Sequence, residues 1–192
     1  MRIQRDHLVS TTPVKPTLST PLKPPPSVLL FDSNIWLFRL EGIKDSAQRF
    51  LDIQILVPMV VLDELSYISR NHTSSKAALA ASSLAWLADP SGHLPGHSPY
   101  KINSFNAKSD ISQRIRLVTS SGDVVPGGPV CASRSTFVYN EITNNDDILI
   151  RVCLNTSEEV LLVTEDLNLI NKSRIFKIPA MTWRDYSKTY LG

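Results

Sequence analysis

Three short runs of aliphatic side chains have no polar residue to break them: "VLLF" at 28–31, "ILVP" at 55–58 and "VLLV" within "VLLVT" at 160–164. Successive side chains of a strand point to opposite faces. A strand without a polar alternate must therefore be covered on both sides, which is the situation of a parallel sheet between helices. The intervening segments read as those helices. "SNIWLFRL" follows the first run and "VVLDELSYIS" (60–69) the second. "SSKAALAASSLAWLADP" (74–90) is rich in Ala and Leu and stops at Pro90. Asn144 or Asn145 caps a helix running to about Leu154, "EDLNLINKS" forms a short helix, and "TWRDYSKTY" a terminal one. "RIRLV" (114–118) and "IFKIP" (175–179) complete the strands. The expected fold is α/β in three layers, a central parallel sheet flanked by helices on both faces.

Residues 1–26 differ in texture. They hold six of the thirteen prolines and four basic groups (Arg2, Arg5, Lys15, Lys23) against Asp6 alone. Such a segment cannot bury enough surface to offset chain entropy. It reads as a disordered, Pro-rich basic tail or linker, such as the end of an upstream region of a longer protein, ahead of a folded domain at 27–192. The 166 residues after the tail carry 16 basic and 17 acidic groups, a net of −1. The pI of 8.6 thus belongs to the tail and is no argument that the folded part binds nucleic acid. Cys131 and Cys153 lack metal-ligand spacing and read as reduced, buried thiols. There is neither a membrane-length apolar run nor an apolar signal region. The expectation is a soluble intracellular protein with no membrane association, cytoplasmic and with the nucleus as a second compartment.

Acids fall where an open parallel sheet places its crevice, beyond the carboxyl ends of the strands. Asp32 follows the first strand directly. Glu165 and Asp166 follow "VLLVT". Glu64 lies in the helix after the second strand, and Asp146 and Asp147 open another helix. Each has a structural alternative. An Asp after a strand is often a helix cap, acids in a first turn complement the helix dipole, and Glu64 could face solvent. Taken together the alternatives weaken, because four separate elements each deliver an acid near one edge. Asp146 shares a helical face with Leu149, Ile150 and Cys153, whereas the face of Asp147 includes Arg151, so Asp146 is expected to point inward.

Two charges ~4 Å apart repel by ~4 kcal/mol at an effective dielectric near 20. Four clustered carboxylates call for a cation, and hard oxygen donors select Mg²⁺ or Mn²⁺. One or two such ions can activate water for in-line displacement at phosphate. Other chemistries lack their residues. His7 is in the tail, and His72, His93 and His97 lie in loops far from the acids; no Ser-His-Asp or Cys-His set and no glycine-rich phosphate loop is visible. The segments 90–100 and 120–130 read as loops.

The segments "LLFDSN" (29–34), "LVPMVVLDEL" (56–65), "NNDDILIRVCL" (144–154) and "VLLVTEDLNL" (160–169) fall in the order of the PIN-domain nucleases, and the register extends through "IPAMTW" (178–183). The chain resembles this family over about residues 28 to 185. Within it, the likeness is to the telomerase-binding-protein-like endonucleases of nonsense-mediated mRNA decay. "NNDD" and "TEDLNL" are the most specific parts. The resemblance implies a PIN-like fold, with Asp32, Asp146 and Asp166 as catalytic, metal-holding acids and Glu64 as the fourth catalytic acid. Asn34, Asp147 and Thr164 are implied as supporting polar residues. It implies cleavage of single-stranded RNA with Mg²⁺ or Mn²⁺, and mRNA-decay proteins as partners. Two features depart from close relatives: Ser66 follows "DEL" where they often continue with another acid and glycine, and residues 89–143 have little that matches.

RNA binding also needs basic groups near the acids. The candidates are Arg70, Lys76, Lys172, Arg174 and Lys177, each also readable as a solvated charge. The competing functional class is a PIN module without catalysis that recruits proteins in RNA decay. A receiver or haloacid-dehalogenase-like domain fits less well, since those place paired acids after the first strand and this chain has "DSN".

Overall fold

The computed structural model describes residues 26–71, 73–90, 111–125 and 144–192. Residues 1–25 of the tail, 91–100 of the first loop and 126–130 of the second, the four histidines and Cys131 lie outside them.

Among the described residues, five parallel strands form one sheet in the order β3-β2-β1-β4-β5. These are β1 (Val28–Phe31), β2 (Gln54–Pro58), β3 (Ile115–Val118), β4 (Val160–Val163) and β5 (Ala180–Met181). Every residue of β1 and β4 is buried. With alternating side chains, this means that both faces of the sheet are covered, as the unbroken apolar runs require. β1 is central: Leu29 lies opposite Ile55 of β2 on one side and Leu161 of β4 on the other.

The covering helices are α1 (Ser33–Phe38), α2 (Leu40–Arg49), α3 (Met59–Arg70), α4 (Ala77–Ala88), α5 (Ile111–Arg114), α6 (Asn145–Asn155), α7 (Leu167–Ile175) and α8 (Trp183–Tyr186). A π-helical turn, Ser187–Leu191, continues α8. α4 is tied to α1 through buried Ser83, whose hydroxyl donates to the Trp36 carbonyl at 2.6 Å. The C-terminus is held by aromatic packing, with Tyr186 meeting Phe31, Trp183 and Tyr190 at centroid distances of 6.0, 5.4 and 5.3 Å. None of the described helices is long and apolar enough to cross a membrane. Cys153 is a buried free thiol, and burial pushes its pKa up to about 12.

α2 has no counterpart in the sequence-based expectation, because its stability is tertiary. Its apolar face is narrow, with Ile43 and Ala47 buried. Gly42 lets it approach the Trp183 indole so closely that a Cβ would stand 2.2 Å from the ring. Its end is capped from a distance by Arg114, which is 8% exposed and donates to the carbonyls of Phe50 (2.8 Å) and Ala47 (2.7 Å). A cation there complements the negative end of the helix.

The expectation of a strand at 175–179 is overturned. α7 continues through Ile175, and the strand is Ala180–Met181. Ile175 and Phe176 are exposed, so the apolar character that suggested a strand is not used in a core. The helix instead closes in a Schellman arrangement: Lys177 N–H donates to the Arg174 carbonyl (3.1 Å) and Ile178 N–H to the Ser173 carbonyl (2.9 Å), with Ile178 buried. This requires Lys177 at φ 59°, a left-handed conformation that costs a non-glycine residue about 1–2 kcal/mol. Lys177→Gly should therefore raise stability by about 1 kcal/mol, offset in part by glycine's greater unfolded-state entropy. Urea denaturation with an unchanged m-value checks this; a lower midpoint would count against the strain.

Candidate active site

β1 is the point at which the sheet's order reverses: the chain steps from β1 to β2 and β3 on one side, then returns to β4 and β5 on the other. Ligands of open α/β sheets bind outside the carboxyl ends of the strands at such a point. A cleft of about 450 Å³ lies there, lined by Asp32, Ser33, Asn34, Glu64, Asn144, Asn145, Asp146, Leu149, Asp166 and Leu169.

Each acid reaches the cleft for a local reason. Asp32 ends β1 and caps α1, its Oδ1 accepting from Ile35 N–H at 2.9 Å. Its Oδ2 accepts from the Thr164 hydroxyl just beyond β4. Thr164 Oγ1 in turn accepts from Asp166 N–H at 2.9 Å, so one fully buried hydroxyl links two acids on neighbouring strands. Asp166 caps α7, its Oδ1 accepting from Asn168 N–H (2.7 Å) and Leu169 N–H (3.3 Å). Asp146 sits in the first turn of α6, which Asn144 caps by accepting from Asp146 N–H at 3.1 Å. Glu64 projects from α3, and its Oε1 accepts from the Asn145 side-chain amide.

The caps and the cleft are thus the same residues: Asp32 and Asp166 fill both the structural and the functional reading. Asp32 is 4% exposed, and burial raises its pKa above the usual carboxylate value. The hydrogen bonds from Thr164, Ile35 and Asn34 oppose the rise, and the negative charge of Glu64 adds to it. Lys172 supplies the cation in view. Its Nζ stands 2.9 Å from Asp147 Oδ1 and 3.5 Å from Asp146 Oδ2. Its pKa is raised, chiefly by the hydrogen bond to Asp147 and also by the charges of both acids.

Among the residues singled out from sequence, the structure brings Asp32, Asn34, Glu64, Asp146 and Asp166 into one cleft, with Thr164 buried behind Asp32. Asp147 lies outside the lining and is turned to Lys172; its side chain is 56% exposed, against 24% for Asp146. Glu165, Arg70 and Arg174 are exposed and do not line it. Lys76 lines a neighbouring pocket. Asn145 and Ser33 were not singled out as site residues. Asn145 is recognisable only from its long-range amide contact with Glu64, which no local pattern signals.

A sequence profile of the PIN domain matches residues 29–184, most of the chain and all the elements that build this cleft. The chain belongs to the PIN-domain family. PIN domains are generally nucleases and typically use divalent metal ions. No curated protein sequence matches the chain significantly.

Among the described residues no three His, Cys, Asp or Glu side chains come close enough to share one ion. The donor set of this PIN domain nonetheless fits a hard, hydrated cation. It is all oxygen, it is rich in carboxylates, and Asp166 Oδ2 carries none of the hydrogen bonds that occupy Oδ1. Mg²⁺ binds through one or two carboxylates together with waters and substrate phosphate, and does not need an all-protein cage.

Proposed function

We propose that this PIN domain is a metal-dependent endoribonuclease that hydrolyses single-stranded RNA. The convergence of four acids, from the ends of β1 and β4 and from α3 and α6, on one cleft at the switch point carries the reading. Asp32, Asp146 and Asp166 would hold one or two Mg²⁺ or Mn²⁺ ions. When bound, such an ion supplies a Lewis acid that acidifies a water and offsets charge developing at phosphorus.

The chain's own residues do the positioning. Thr164 holds the Asp32 carboxylate and the Asp166 backbone in register across two strands. The Asn145 amide orients Glu64. Lys172 lowers the repulsion among the acids at the mouth, and to grip an RNA phosphate it must give up part of that pairing. A cleft of this size suits a flexible single strand better than a stiff duplex. The likeness of "NNDD" and "TEDLNL" to the decay endonucleases supports a place in mRNA surveillance, in the cytoplasm and with the nucleus as a second site, alongside decay-protein partners.

Water as nucleophile leaves a 5′-phosphate and a 3′-hydroxyl. A route through the RNA 2′-hydroxyl would leave a cyclic phosphate and would use a general acid and base such as histidine; none of the described residues lining the cleft is a histidine. The test is a circular single-stranded RNA incubated with Mn²⁺, with Mg²⁺ and with EDTA, followed by mapping of the ends. Opening of the circle with 5′-phosphate ends in metal but not in EDTA is expected. Cyclic phosphate ends, or a circle left intact under all conditions, would overturn the reading, the latter in favour of a protein-recruiting module.

A further inference from the structure

A second pocket of about 260 Å³ opens beside the acidic cleft and shares Ser33, Asn34 and Glu64 with it. The rest of its lining is Leu37, Tyr67, Ile68 and Lys76. We propose that this pocket is a nucleobase subsite, in which Tyr67 stacks one unpaired base of the RNA and Lys76 holds an adjoining phosphate. The proposal rests on reading the acidic cleft as a nuclease site.

Three observations carry it. The first is position. Glu64, Tyr67 and Ile68 are three and four residues apart on α3, so they share a face, and that face runs from the acids into the pocket. A strand with its scissile phosphate at the acids can lay a neighbouring nucleotide here, because the two pockets share Ser33, Asn34 and Glu64. The second is an unused aromatic surface. Tyr67 is 74% exposed and belongs to no aromatic pair among the described residues. Sequence-tolerant binding of single strands uses such rings as stacking platforms, because every base has a π-face. The third is charge. Lys76 lies at the start of α4 with its Nζ 5.3 Å from the centroid of the Phe38 ring, and no carboxylate pairs with it among the described residues. Its charge is thus open to phosphate, unlike that of Lys172. The pocket is also smaller than the ~300–1,000 Å³ of sites for drug-sized ligands, a scale that suits a single base.

The experiment measures binding of a labelled short oligouridylate to the whole chain in EDTA by fluorescence anisotropy, with an abasic nucleotide walked along the RNA. Tyr67→Ala should weaken binding about tenfold, within the range of base–aromatic stacking, and Tyr67→Phe should restore it. Lys76→Ala should weaken binding and lower the salt slope by about one. At one position the abasic nucleotide should weaken wild-type binding and remove the Tyr67→Ala penalty. An unchanged affinity of Tyr67→Ala, or a penalty equal on abasic and intact RNA at every position, would overturn the subsite. If the wild type still opens circular RNA in that case, the nuclease reading stands. If the wild type neither binds nor cuts RNA, both fall.

Discussion

Asp32→Asn should reduce RNA cleavage by at least about 10²-fold and, in EDTA, raise the melting temperature. Removal of a charge that holds and orients a catalytic group costs this much or more. The stability effect runs the other way because Asp32 is buried, with a pKa raised by desolvation. The sign follows from linkage. A carboxyl with a folded-state pKa above its unfolded value favours the neutral form in the folded state, so stability is fullest below the unfolded pKa and is lost as pH rises through the folded one. Near neutral pH the charge is a burden on the fold, and a neutral isostere relieves it. Asparagine keeps an oxygen for Ile35 N–H, and its amide can donate to Thr164 Oγ1 where the acid accepted from it. Cleavage kinetics and thermal unfolding of the same preparation test both halves. Undiminished cutting would remove Asp32 from the machinery, and a lower melting temperature would show that its charge supports the fold.

Divalent metal should stabilise the PIN domain by about 2.7 kcal/mol at a concentration 100 times its dissociation constant. At roughly 2–4 °C per kcal/mol for a chain of this size, that is a rise of about 5–10 °C in melting temperature. The cause is the same repulsion: Asp32, Glu64, Asp146 and Asp166 line one cleft, and only Asp146 has an ammonium near it among the described residues. Melts in Mg²⁺, Mn²⁺ and EDTA at matched ionic strength measure the shift. Asp146→Asn should reduce it, whereas Lys172→Ala should preserve it, since that change leaves the carboxylates in place. An equal shift for wild type and Asp146→Asn would assign the effect to non-specific ion binding.

The elements legible from sequence were those whose pattern is local and whose burial is two-sided. "VLLF", "ILVP" and "VLLV" read as strands covered on both faces, and β1, β2 and β4 are where those runs lie. α4 was legible from its Ala and Leu content and α6 from its Asn cap and apolar face. "IFKIP" misled because a short apolar run does not reveal whether its side chains are used. Here Ile175 and Phe176 face solvent, and a left-handed Lys177 turns the chain before the two-residue β5. α2 was missed because its closeness to Trp183 spans 141 positions from Gly42, and the cap from Arg114 spans 64 positions to Phe50 and 67 to Ala47.

For the site, the sequence by itself determined which acids stand at element ends, since a strand end or a first helical turn is a local matter. It also separated Asp146 from Asp147, because helical spacing alone assigns their faces. Only the tertiary structure decided that these acids share one cleft, that Thr164 bridges Asp32 to Asp166, that Asn145 holds Glu64, and that, among the described residues, Lys172 pairs with carboxylates while Lys76 does not. The physical reason is sequence separation. Asp32 and Thr164 are 132 residues apart, and Glu64 and Asn145 are 81 apart. Nothing in the local chain encodes such distances; they follow from the crossing of β4 back beside β1, which sets the order of the sheet.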